Sequence, residues 1–293
     1  MGQDQNNRTG LCGTEPRAIE NPFGAPVYYR ETVSSTMDEA RHLAARGEKH
    51  GTVITAGFQE AGRGRGRNRS WDADREKNLF FTILLRYAGI DAVPKALTLR
   101  TGLAVSLAVE DFAPELKGRV QIKWPNDIML SETRPGGGSA AKTAGILAES
   151  VVEASGCAVY IGVGVNLAQT EFPAAIRGKA TSLLLARRAL AGNGDAAGKA
   201  AYTGEDRFRL LGKILARLYP EIAGGQSPAA WRKSLEARLY RYGERVRFFA
   251  GGVDAGRPVE GVLSGIGEDG ELLITADGET ESRPFITGEL DMY

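Results

Sequence analysis

The chain has 293 residues, 42% hydrophobic and 25% charged, with a formal net charge of +1. That length holds one large domain, or a large one with a small one, and so neutral a balance argues against a dedicated nucleic-acid binder. Cys12 and Cys157 lie far apart in sequence, with no CxxC pair and no disulfide framework. With no signal pattern and no apolar run reaching about 18 residues, the expected address is the cytoplasm, without a membrane.

Residues 1–24 are polar and rich in Gly, Asn and Pro, and are expected to form a flexible tail. Val27-Tyr28-Tyr29 has strand character. Ser34, Ser35 and Thr36 offer N-caps for a helix from about Met37 to Arg46. Thr52–Ala56 and Leu79–Arg86 read as strands, and Lys95–Phe112 as a mostly buried helix. Four more strands are expected at Val120–Lys123, Ile128–Leu130, Thr143–Val151 and Ala158–Asn166. A Gly-rich turn or mobile loop (134–140) separates the second from the third. Residues 186–206, rich in Ala and Gly, are expected to be a linker-like insertion, followed by helices at Arg207–Leu218 and Pro228–Arg238. From Gly243 the pattern changes to short strands: Val246–Phe249, Val259–Ser264, Leu272–Thr275 and Glu281–Phe285. Glu268-Asp269-Gly270 and Asp277-Gly278 are hairpin signals. This small all-β module has little core of its own and is expected to dock on the main body.

Two segments carry the clearest chemistry. In Gly62-Arg63-Gly64-Arg65-Gly66-Arg67-Asn68-Arg69, glycine alternates with arginine after Gln59 and before Trp71. Gly permits close backbone approach, and Arg presents a donor fork suited to carboxylate and phosphate. The loop lacks the Gly-Lys-Ser/Thr of a P-loop and the Rossmann spacing. An anion-clamping loop, a solvated turn and an RNA contact all remain open on these residues alone. In Lys123-Trp124-Pro125-Asn126-Asp127, an apolar strand delivers a lysine, which needs an anion to offset burial. Snorkelling or a pair with Asp127 would also satisfy it. Ser34-Ser35-Thr36 serves helix capping, ligand contact, or both. The small residues of Lys142–Glu149 and Ile161–Asn166 allow close approach of a ligand or simply tight sheet packing. His42 and His50 supply no triad or zinc site.

In this order, Ser35-Thr36-Met37, Gln59 through Arg65, Trp71, Asn78-Leu79, Lys123 through Asp127, Lys142 through Glu149 and Gly162 through Asn166 resemble the biotin–protein ligase family. The resemblance runs from about Tyr28 to the C-terminus. It implies an α+β fold: a mixed-sheet catalytic domain of the class II synthetase/biotin–lipoate ligase type at 25–239, followed by an SH3-like barrel at 240–293. It implies ligation of biotin to one lysine of a biotin carboxyl carrier protein or carboxylase domain, through biotinyl-5′-AMP, with ATP and Mg²⁺. By the same resemblance Ser35, Thr36, Met37, Gln59, Arg63, Gly64, Arg65 and Lys123 meet biotin, and Arg63, Arg65, Trp71 and Asn166 meet the nucleotide. Lys123 and Arg65 are the expected catalytic pair. Members occur as monomers and dimers, so a homodimer is compatible with it.

Three departures stand out. The stretch from the Gly-Arg core to Trp71 is one residue longer than usual, which leaves Arg67 and Arg69 without assigned roles. Met37 replaces a frequently polar residue, and the 134–140 loop is long. About 25 residues precede the catalytic body, too few for a winged-helix DNA-binding domain, so a monofunctional ligase without DNA binding is expected. A lipoate or octanoate ligase or transferase would share the fold, but its Arg/Gly motif continues into Gly-Gly-Gly and His, absent from 59–71. A non-enzymatic RNA binder would need aromatic stacking partners, and only Trp71 is adjacent.

Overall fold

The computed structural model describes residues 16–65, 71, 73–131, 140–154, 156–191, 201–223, 228–251 and 257–291. Two sheets organise them. The larger has seven strands in the order β1-β2-β3-β7-β6-β5-β4. Its strands are β1 (Val27–Val33), β2 (Thr52–Gln59), β3 (Asn78–Tyr87), β4 (Val120–Lys123), β5 (Asp127–Ser131), β6 (Ala140–Glu153) and β7 (Gly156–Asn166). β1 and β2 are parallel, joined by helix α1 (Thr36–Ala45); every other pair is antiparallel. The sheet is therefore mixed, as an α+β fold requires.

β3 shows why this sheet is central. Residues 78–85 are all buried, as a strand covered on both faces must be. Leu79, Phe81, Ile83 and Leu85 turn to the main core. There they meet α2 (Leu97–Phe112) and α4 (Asp206–Ile222), through side chains such as Leu103, Val109, Leu211 and Leu215. Leu84 turns the other way, into a smaller cluster with Met37, Leu43, Ile54 and Tyr160. Helix α1 covers only part of that second face, and the cavity described below opens beside it.

The second sheet runs β11-β10-β9-β8-β12. Its strands are β8 (Arg245–Ala250), β9 (Val259–Ile266), β10 (Leu272–Ala276), β11 (Arg283–Phe285) and β12 (Gly288–Leu290). It docks on the first part through buried Trp124, whose indole N–H donates to the Gly270 carbonyl at 3.0 Å and whose ring meets Phe248 at 5.9 Å. Lys95 and Asp269 add an ion pair at 2.6 Å.

Several expectations are corrected. The stretch from residue 186 does not begin as a linker: Leu183–Ala191 is helix α3, with Leu183 and Leu184 buried, and residues 192–200 lie outside the described set. Alanine favours helix once a partner covers one face, so the Ala/Gly content was misleading. Ala140 already belongs to β6, and the rest of the Gly-rich loop (132–139) lies outside the described residues. Strand β12 escaped notice because three residues carry no readable alternation; it forms by pairing with β8. The strand expected from Glu281 begins only at Arg283. Residues Ile90–Phe112, α2 with its preceding turn, are long and apolar enough to cross a membrane, although no unbroken apolar run announced it. Here Leu99, Leu103, Val105 and Val109 are buried in the core. The last helix, α5, spans Pro228–Glu236.

Candidate active site

The cavity is built from α1, the strands β2, β3, β6 and β7, the Gly-Arg loop and the β4–β5 turn. The N-terminus of α1 contributes Ser35, Thr36 and Met37, and the end of β2 contributes Gln59. The Gly-Arg loop adds Arg63, Gly64 and Arg65, closed at its far side by Trp71, whose backbone N–H donates to the Gly62 carbonyl at 2.9 Å. β6 and β7 supply a floor of Gly145, Gly162 and Gly164, with apolar walls from Phe80, Ile146 and Leu147. Asn126 and Lys142 complete it.

One side is a wired polar cluster. Gln59 Oε1 accepts from the Thr36 N–H at 2.8 Å and from the Thr36 hydroxyl at 3.0 Å. A backbone N–H can only donate, so the atom it meets is the amide oxygen, and the Gln59 NH₂ is left as the donor group. Ser35 Oγ caps α1 by accepting from the Met37 N–H at 3.2 Å, which leaves its O–H to donate. The helix N-terminus adds its partial positive charge. These donors suit an uncharged acceptor such as a carbonyl.

The other side is a cationic rim whose charges are already partnered. Asp38 accepts from Arg41 at 2.7 Å and also from Arg63, and Arg41 reaches Glu149. Arg65 donates to the Gly288 carbonyl of β12 at 2.8 Å, so the second sheet reaches the loop. Lys142 pairs with Asp127 at 2.7 Å and stands 5.5 Å from the Trp71 ring centre.

A backbone irregularity sets this arrangement. Along the β5–β6 ladder Ile128 faces Ala144 and Met129 faces Lys142, so Thr143 is an extra, unpaired residue in β6. Such a bulge reverses the alternation of side chains. Lys142 and Gly145, three positions apart, therefore both face the cavity. Gly145 and Gly164 are opposed across β6 and β7. A Cβ at either would stand 2.8 and 3.0 Å from the Trp71 ring; their bare backbone is the seat on which the indole lies. The Trp71 Nε1–H is buried with no hydrogen-bond partner.

Of the residues singled out from sequence, Ser35, Thr36, Met37, Gln59, Arg63, Gly64, Arg65 and Trp71 meet at this cavity. Lys123 and Asn166 do not line it. Lys123 is 5% exposed in β4, opposite Asp127. Asn166 is spent on the chain that follows β7, donating to the Thr181 carbonyl at 3.0 Å. The lysine at the cavity is Lys142, from a segment that stands out for its small residues and its share in the family resemblance. Its signal was a lysine just before a strand glycine, but period-2 alternation would turn those two to opposite faces. Arg67 and Arg69 lie outside the described residues.

Residues 29–166 match the Biotin/lipoate A/B protein ligase family. A biotin--[acetyl-CoA-carboxylase] ligase of Mycobacterium tuberculosis is 30% identical over 256 residues, covering 85% of this chain and 83% of that protein. The bifunctional ligase/repressor BirA of Bacillus subtilis is 33% identical over 165 residues, 55% of this chain; the match spans about half (47%) of that longer relative. Among solved structures, a biotin protein ligase from Aquifex aeolicus in complex with biotin and ATP aligns with a TM-score of 0.67 and 25% identity, over 90% of this chain and 97% of that one.

Proposed function

The chain belongs to the biotin/lipoate A/B protein ligase family, and from that premise we propose that it joins biotin to a lysine of a carrier protein at the expense of ATP. One observation carries the proposal. A single cavity sets neutral donors on Gln59 and Ser35 beside the cations Arg63, Arg65 and Lys142. Biotin is a neutral cyclic urea at one end and a carboxylate at the other.

In the first step a biotin carboxylate oxygen attacks the α-phosphorus of ATP, the bond to the β-phosphate oxygen breaks, and pyrophosphate leaves. Two anions must meet, so positive charge in place beforehand lowers the barrier. Arg63 and Lys142 are assigned to the carboxylate and α-phosphate, and Arg65 to the adenylate phosphate. Each charge-assisted hydrogen bond is worth roughly 1.5–3 kcal/mol. In the second step the carrier lysine amine attacks the acyl carbon and AMP leaves; holding the two together supplies much of the rate. Phe80, Ile146 and Leu147 supply apolar cover for the biotin ring, and Met37 fills the floor at Gly162.

Mg²⁺ would travel with the triphosphate and offset its charge. Asp127, against Lys142, is the carboxylate available to it. Among the described residues no group of three His, Cys, Asp or Glu could hold a metal ion. Lys123 and Asn166 support the site from behind, and residues 240–293 are read as an SH3-like module beside a catalytic body at 25–239. Incubation with biotin, ATP, Mg²⁺ and a biotin-carrier domain, read by mass spectrometry, tests the proposal. A biotinyl addition to one carrier lysine is expected, with lipoate a poor substitute; no addition overturns it.

A further inference from the structure

β3 is apolar from Leu79 to Leu85 except at Thr82, which is completely buried. A buried hydroxyl without a partner is costly, so its partner reveals its use. Thr82 shares a face with Phe80, which lines the cavity, and Leu84, which packs on α1. Its Oγ1 stands 2.9 Å from Thr36 Oγ1.

The direction of that bond is forced. Gln59 Oε1 accepts the Thr36 backbone N–H, so the Thr36 hydroxyl next to it must also donate to it. A hydroxyl has one proton. Thr36 Oγ1 can therefore only accept from Thr82, and the protons run one way: Thr82 to Thr36 to Gln59. Were Thr82 absent, Thr36 would lose the donor that holds its rotamer, and the amide oxygen of Gln59 would lose a fixed neighbour.

We infer that Thr82 is a positioning residue for the ligand head. It lies behind the cavity, outside its lining, and acts by locking Gln59 with its NH₂ toward a carbonyl acceptor. The inference rests on the biotin reading above, in which that acceptor is the urea oxygen. Chained hydrogen bonds in a buried site strengthen one another, so loss of the first is felt at the last. Lys142 and the arginines lie outside this chain, so the chemical step is spared.

The test is steady-state pyrophosphate release with biotin varied, on four proteins. Thr82→Val is expected to raise KM for biotin about tenfold with kcat within about twofold. Thr82→Ser, which keeps the hydroxyl, is expected to restore KM. Thr55→Val is the structural control: Thr55 is equally buried on the neighbouring strand, but its hydroxyl bonds the Phe80 carbonyl at 2.7 Å, so stability should fall with KM unmoved. Should Thr82→Val be insoluble, Thr82→Ala removes the same proton. An unchanged KM in the hydroxyl-less variant, failure of Ser to restore it, or an equal rise in Thr55→Val each overturns the relay while wild-type protein remains active. Wild-type protein without biotin-dependent pyrophosphate release overturns the biotin reading itself, and the relay with it.

Discussion

The two sides of the cavity are prepared in opposite ways. The polar cluster of Ser35, Thr36, Gln59 and Thr82 is buried or half-buried, and its internal hydrogen bonds are in place without ligand, with the Gln59 NH₂ and the Ser35 O–H left to donate. The cationic rim is more open: the Arg63 side chain is 45% exposed and that of Lys142 34%. Its charges are lent to Asp38, Asp127 and the Gly288 carbonyl. A neutral head can enter a site that need not rearrange. An anion must exchange partners at the rim, and exposed ion pairs, worth about 0–1 kcal/mol, are weak enough to release them. The rim therefore holds its cations in place before substrate arrives at little thermodynamic cost.

The harshest test of that contrast is Lys142→Ala, expected to cut biotin-dependent pyrophosphate release about 10²–10³-fold, the usual loss of one preorganised transition-state charge. Lys123→Ala is expected to lose less at the chemical step, since Lys123 does not line the cavity. A larger kcat loss in folded Lys123→Ala than in Lys142→Ala would reverse the assignment made here.

Next comes Arg65→Ala. Adenylation should survive while the adenylate escapes, so that bystander lysines become biotinylated. Mass spectrometry of a carrier mixed with an unrelated protein measures this; labelling that stays confined to one carrier lysine would argue that Arg65 does not retain the intermediate.

Gly164→Ala probes the floor between the two sides. The new methyl would stand 3.0 Å from the Trp71 ring, tighter than most carbon contacts, so the ring must give way. The indole should be displaced, with a changed tryptophan emission and a several-fold rise in KM for biotin or ATP. Identical emission and KM would show that the indole does not lie on these glycines in solution.

The smallest effect serves as a remote control. Arg217 on α4 donates to Asp111 on α2 at 2.7 Å and holds that carboxyl below its ordinary value of 3.8. The folded pKa is lowered, so the stabilisation is present above 3.8 and is lost as pH falls through the lower folded value. Both groups are over a third exposed, so about 0.2–1 kcal/mol is expected. Asp111→Asn should lower the urea midpoint at pH 7 and leave KM for biotin alone. A shifted KM would mean that core packing on the far side of the sheet reaches the cavity.

Much of this was legible in the chain. Helix α1 and its Ser35 cap followed from Ser-Ser-Thr ahead of an amphipathic run, and β2, β3 and β7 from apolar runs long enough to be buried. Gln59, Arg63, Arg65 and Trp71 were readable because they sit in one local stretch. Lys142 was not, because its role depends on a register shift against β5. The link from Arg65 to β12 joins residues 223 positions apart, beyond any local pattern.

Sequence alone determined the kinds of chemistry present: arginines that cannot lose charge, glycines that admit close approach, and a capped helix start offering donors. These are properties of residue types and nearest neighbours. Tertiary structure alone decided which lysine faces the cavity, because one extra residue in β6 reverses side-chain alternation and turns Lys142 inward while Lys123 stays behind. It also decided the direction of the Thr82–Thr36–Gln59 protons, because that depends on which backbone N–H three separate elements bring to one amide oxygen.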